Sequence, residues 1–194
     1  MQSIIKQEFI EHTKVIQNTI EEIIPQIEAA VQICVNSLKK NGKILIFGNG
    51  GSASDAQHIA AELVGRYKTE RNGIPAIALT TDTSAITSIS NDYGFAHVFE
   101  RQVKALGQKG DIVIGISTGG SSENVVNGIT TANKIGCKTI GLSGKDGGKF
   151  NLLCDVNLLV KSNDTARIQE MHILIGHTIC HLIEIELSEQ NNFG

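Results

Sequence analysis

The sequence predicts a single α/β domain in which a parallel sheet of five strands lies between layers of helices, with further helices ahead of the first strand. Three observations carry this. Five short apolar runs, residues 44–47, 75–79, 111–116, 137–142 and 155–160, have the length and composition of buried strands. Four of them lead into stretches with helical spacing, and that alternation gives parallel strands joined by right-handed crossovers. Two of them end abruptly in glycine and hydroxyl clusters, as expected at the carboxyl edge of such a sheet, where ligands bind.

The 194 residues suffice for one domain with a sizeable core. Seventeen basic against twenty acidic residues leave a net charge of −3, the basic residues are scattered, and aromatic residues are few, so a nucleic-acid partner is not expected. Cys34, Cys137, Cys154 and Cys180 lie far apart in apolar surroundings with no Cys-x-x-Cys pair, which reads as reduced core thiols in a cytoplasmic protein. No basic segment followed by an apolar run opens the chain, and no stretch is apolar for long enough to cross a bilayer. No internal repeat or second domain is visible.

From the N-terminus, Ile4, Ile5, Phe9, Ile10, Val15, Ile16, Ile20, Ile23 and Ile24 recur at helical spacings. Pro25 is expected to break this helix, with a second running to about residue 40 and a C-cap at Asn41-Gly42. Such apolar helices cover either one face of the sheet or another subunit, and the sequence leaves both open.

The run at 44–47 enters Gly48-Asn49-Gly50-Gly51-Ser52, and from Ala56 onward the residues favour a helix that Ser52, Ser54 or Asp55 can cap. A strand, glycine-rich loop and helix aim backbone N–H groups and the positive end of a helix dipole at one point, which suits an anionic or strongly polar ligand. The glycine spacing matches neither a nucleoside triphosphate loop nor a dinucleotide fingerprint. His58 and Glu62, four residues apart, share a helix face near this loop. That spacing serves a proton-transfer pair, two metal ligands or an ordinary surface ion pair.

Further along, Asp82 is placed to cap a helix over 83–90, and a turn at Asn91-Asp92-Tyr93-Gly94 to start another over 96–106. The strand at 111–116 runs into Ser117-Thr118-Gly119-Gly120-Ser121-Ser122 ahead of a helix over 125–135. Four hydroxyls with free backbone N–H groups form a cradle for a phosphate monoester, or simply a polar turn. After the fourth and fifth strands a long helix over 164–189 carries Gln169 and His177, about 80° apart in projection and so on one broad side of it.

Several motifs, in this order, now carry a resemblance: Gly48-Asn49-Gly50-Gly51-Ser52-Ala53, Gln57-His58 with Ala61-Glu62-Leu63, Gly65-Arg66-Tyr67, Asn91-Asp92-Tyr93-Gly94, Gly115-Ile116-Ser117-Thr118, Gly144-Lys145-Asp146-Gly147-Gly148 and Arg167-Ile168-Gln169-Glu170-Met171-His172. Over essentially its whole length the chain resembles the phosphoheptose isomerases of the sugar-isomerase (SIS) superfamily. The resemblance implies a flavodoxin-like three-layer sandwich with a central five-stranded parallel sheet, one SIS domain over 1–194 with an α/β core over 41–194, and residues 1–40 used in oligomerisation. It further implies a cytoplasmic homotetramer with active sites between subunits, acting on a sugar phosphate. By this resemblance Asn49, Gly50, Gly51 and Ser52 contact the sugar, and Ser117, Thr118, Gly119, Ser121 and Ser122 hold the phosphate. Arg66, Asp92 and Gln169 line the pocket, Glu62 and His177 are the acid/base pair, and His58, Glu62, Gln169 and His177 bind one zinc ion per subunit. Related sequences read Ser-Thr-Ser-Gly where this chain has Ser117-Thr118-Gly119-Gly120, which removes one hydroxyl donor from the loop.

The implied reaction converts D-sedoheptulose 7-phosphate to D-glycero-D-manno-heptose 7-phosphate, an entry step to heptose for lipopolysaccharide or capsule. It needs ring opening, then removal of a proton from C1 and its return at C2, work suited to a carboxylate such as Glu62 with an imidazole such as His177 assisting at oxygen. A carboxylate bound to zinc is a poorer base, so the two roles implied for Glu62 compete. The alternative is a scaffold similar to the SIS proteins that bind the replication initiator DnaA; Glu62 and His177 together favour the enzyme.

Overall fold

A computed structural model of the chain describes residues 1–188. Its elements run α1 (Gln2–Leu38), β1 (Ile44–Gly48), α2 (Gly51–Val64), β2 (Ala76–Ala78), α3 (Thr83–Tyr93), a 3-10 turn (Phe95–His97), α4 (Val98–Leu106), β3 (Ile112–Ile116), α5 (Glu123–Ile135), β4 (Lys138–Gly144), α6 (Phe150–Leu153), β5 (Val156–Val160) and α7 (Thr165–Ser188). The five strands are all parallel, in the order β2-β1-β3-β4-β5. This is the flavodoxin-like winding, whose switch point lies between β1 and β3.

Every residue of β1 and β3 is buried, as a strand covered on both faces requires. Alternation splits β1 between two cores. Ile44 and Ile46 join Ile27, Val31, Cys34, Ile59, Leu63, Ile175 and Ile179 of α1, α2 and α7 on one face. Leu45 and Phe47 join Val98, Phe99, Val103, Val125 and Ile129 of α4 and α5 on the other, where the Phe47 and Phe99 rings stack at 4.8 Å. Pairing of Gly48 with Ile116 brings both polar loops out at one height on the carboxyl edge.

Three expectations need correction. Pro25 does not divide the N-terminal region: α1 is continuous with Pro25 inside it. A helix-interior proline costs about 3 kcal/mol, and burial of Ile23, Ile27, Ala30, Val31, Cys34 and Val35 against the sheet and α7 offsets this, at roughly 1.5–3 kcal/mol for each large side chain. The C-terminal half of α1 thus covers the sheet, while Ile4, Ile5 and Phe9 near its start are exposed in the single chain. Second, α2 begins at Gly51, because Gly50 at φ 57° makes the turn itself. Ser52, Ser54 and Asp55 are inside the helix and none caps it. Third, α3 extends through Asn91-Asp92-Tyr93 and stops at Gly94, at φ 87°; its start is capped as expected, Asp82 accepting from the Ala85 N–H at 2.9 Å. Between the last two strands the structure adds the short α6, anchored by the buried Phe150. The sequence's end for the last helix, Glu189, lies outside the described residues.

Candidate active site

Helices α2 and α7 lie side by side and run the same way: Gln169 meets Gly51 at their N-terminal ends, and Gly176 meets Ile59 two turns on. The close approach at Gly176, where a methyl group would lie 2.6 Å from Ile59 Cδ1, brings the next residues into contact. His177 Nε2 is 3.2 Å from His58 Nε2, and His58 Nε2 is 3.1 Å from Glu62 Oε1. One nitrogen, His58 Nε2, thus faces both a carboxylate oxygen and a second imidazole nitrogen, yet it carries either one hydrogen or one lone pair. A cation among the three satisfies all of them. Ligand atoms of His58, Glu62 and His177 lie within 4.8 Å of one another, and two imidazoles with a carboxylate form the donor set of a zinc site with an open position.

Around this cluster, the Tyr67 ring stacks on His177 at 5.4 Å and 13°. Half-buried Asp55, three residues before His58, has one inaccessible carboxylate oxygen without a partner; burial pushes its carboxyl above the ordinary value, against the pull of His58. His172, fully buried on the far side of α7, lies 3.1 Å from the Ser143 carbonyl, and burial drives its pKa from 6.5 to about 4, so that it is neutral in the folded protein.

The two loops of the carboxyl edge are locked together at the switch point. Asn49 and Asn124 exchange side-chain hydrogen bonds, at 2.9 and 2.8 Å. Buried Ser117 meets Ser122 through their hydroxyls at 3.0 Å, and Thr118 and Gly119 are half-buried beside them. Ser121 turns aside, accepting from the Lys149 N–H at 3.3 Å. Gly119 has open space where its side chain would be, bounded by Lys145 at 3.8 Å.

Of the residues named from the sequence, His58, Glu62 and His177 come together, and Asn49–Ser52 with Ser117–Ser122 line one edge. Gln169 reaches the opening of α2 at Gly51 and makes no hydrogen bond to the other three among the described residues. Arg66 and Asp92 are exposed in the single chain; Arg66 approaches Glu70 at 3.6 Å and Asp92 accepts from Asn91. Sequence reasoning gave no role to Asn124 or Tyr67. Asn124 is separated from the glycine-rich loop by 75 positions and carries no local signal, whereas Tyr67 stood in a quoted motif but its stacking depends on the packing of α7.

The fold and this edge define the class: residues 8–144 match the SIS domain, and the chain belongs to that family. Within it the relatives are specific. The chain is 62% identical over 188 residues to the phosphoheptose isomerase of Aliarcobacter butzleri, covering 97% of this chain and all of that protein. It is 56% identical to that of Helicobacter hepaticus, covering 99% and 97%. The solved phosphoheptose isomerase GmhA of Neisseria gonorrhoeae superposes with a TM-score of 0.90 at 44% identity, covering 94% of this chain and 98% of that one. This chain is a member of the phosphoheptose isomerase family, and these relatives give the scaffold alternative no support.

Proposed function

We infer that the chain is an aldose–ketose isomerase interconverting D-sedoheptulose 7-phosphate and D-glycero-D-manno-heptose 7-phosphate. The observation that carries this reading is the meeting of Glu62, His58 and His177 where two parallel helices touch, two to three turns along α2 from the glycine-rich loop of the β1/β3 switch point. The hydroxyls of Ser117, Thr118 and Ser122 with the N-terminus of α5 take the phosphate, and the loop at Asn49–Ser52 takes the sugar chain. Glu62 removes the C1 proton of the open-chain ketose and returns it at C2. His177, held face-on by Tyr67, moves the proton between the two hydroxyl oxygens. Residues His58, Glu62 and His177, with Gln169 swinging in from Gly51, are the set that would hold zinc, whose charge would favour the enediolate oxygens. No helix among the described residues is long and apolar enough to cross a membrane. A cytoplasmic tetramer that closes each site with Arg66 or Asp92 of another copy fits the exposure of both residues and of the start of α1.

The test is incubation of the purified protein with sedoheptulose 7-phosphate in deuterated water, with and without zinc and after chelation, followed by NMR. Heptose 7-phosphate carrying deuterium at C2 is expected, with the rate falling on chelation. Absence of conversion under every metal condition would overturn the reading.

A further inference from the structure

We propose that Arg71 and Glu184, which lie outside the cluster of metal-ligating and proton-transfer groups, are positioning residues that set the separation of Glu62 from His177. The inference rests on the function proposed above. Helix α2 ends at Val64, so the carbonyls of Glu62 and Leu63 have no N–H four residues on to accept from. Arg71 fills that gap, sharing the Leu63 carbonyl with the Ile74 N–H, which donates to it at 2.9 Å. Its Nη2 donates to the Glu62 carbonyl at 2.8 Å, and its Nη1 to those of Leu63, Asn72 and Gly65 at 2.8, 3.0 and 3.2 Å. The last turn of α2 has no basic residue of its own, so this guanidinium also supplies the cation that a helix C-terminus favours.

Arg71 Nε donates to Glu184 Oε1 at 2.9 Å. Glu184 is 1% exposed and sits on α7 seven residues beyond His177, two turns away on nearly the same face. Its carboxylate also accepts from the backbone N–H groups of Tyr67, Lys68 and Thr69, at 2.8, 2.9 and 3.3 Å. Those bonds replace the helical bond that Tyr67 N–H would make to Leu63, and they turn the chain so that the Tyr67 ring lies on His177. One buried ion pair therefore ties together the backbone of the candidate base, the helix that carries the candidate acid, and the ring that orients it. A shift at either partner moves Glu62 and His177 relative to each other.

The test uses the full chain loaded with zinc, in wild type, R71K and the double variant R71M/E184L. Lysine keeps the charge but cannot serve Glu184 and the α2 carbonyls together. The double variant removes both charges at once and leaves neither buried alone. In both, kcat is expected to fall 10-fold or more with KM within about two-fold of wild type. Zinc affinity, read on metal-free protein by competition with a chelating dye and without substrate, is expected to weaken about 10-fold or more. Wild-type kcat and zinc affinity in the folded double variant would overturn the proposal. Failure of the wild-type protein to isomerise would instead count against the function, since the zinc comparison is read independently of turnover.

Discussion

Replacing Gly51 by alanine separates the stability of this site from its alignment. Gly51 is the first residue of α2, and a methyl group there would lie 2.6 Å from Nε2, 3.0 Å from Cδ and 3.1 Å from Oε1 of Gln169. Ordinary contact needs about 3.5 Å, so the Gln169 amide must retreat by about 1 Å. It is the far end of a flexible side chain, and a rotamer displaced this far costs about 1 kcal/mol. Alanine gains up to about 1 kcal/mol over glycine in a helix, so the two effects nearly cancel and the midpoint of denaturant unfolding should barely move. Catalysis does not share that cancellation. A displacement of about 1 Å in a residue that positions substrate or metal costs on the order of 100-fold, or about 2.7 kcal/mol of transition-state stabilisation. Unfolding curves and kcat/KM measured side by side on G51A, with Q169A as companion, should show two variants of near wild-type stability that are equally impaired. G51A with full kcat/KM would refute the assignment of Gln169 to the site. A loss of stability of several kcal/mol would show that backbone, not the Gln169 amide, occupies that space.

Two further outcomes follow from single residues. In G119S the new side chain meets only Lys145, at ordinary contact distance, so the melting temperature should hold while the KM for the sugar phosphate falls several-fold; an unchanged KM would mean the absent hydroxyl is not missed. For His172, burial lowers the folded pKa to about 4 from 6.5, so the unfolded chain takes up the proton first as the solution is acidified. Its contribution to stability is complete above pH 6.5, is lost as the pH falls toward 4, and amounts to about 2 kcal/mol lost by pH 5. H172Q should lack that part of the acid sensitivity, and equal pH dependence of unfolding in H172Q and wild type would rule it out.

What the sequence made legible was local. The run at 44–47 and the glycines behind it specify a strand and a tight turn whatever else the chain does, and the helical spacing of His58 and Glu62 follows from their positions alone. Pro25 reads as a break because the local cost of a helix-interior proline is visible in sequence, whereas the burial of Ile23 and Ile27 on either side of it is not. The sequence ends α3 three residues early because Asn91 and Asp92 are turn formers, yet only Gly94 adopts the positive φ that ends the helix. Partners far apart in the chain were invisible: the Asn49–Asn124 pair, the stacking of Tyr67 on His177, and Glu184 gathering the backbone of residues 67–69.

The division of labour between loops and helices has a physical reason. A phosphate is large and doubly charged, and it is well held by loop N–H groups and hydroxyls that tolerate small displacements. Proton transfer and metal binding tolerate much less, and the residues proposed for them are side chains on helices α2 and α7. Besides the Arg71–Glu184 pair, their spacing depends on the contact of Gly176 with Ile59, next to His177 and His58, where a larger residue would meet Ile59 Cδ1 at 2.6 Å. Because His58 immediately precedes Ile59 and His177 immediately follows Gly176, the packing that seals the core also sets the distance across the site. The glycine in the middle of α7 costs about 1 kcal/mol of helix propensity relative to alanine. A methyl group at that position would lie 2.6 Å from Ile59 Cδ1 and 2.7 Å from its Cγ1, so the glycine lets His177 come close to His58.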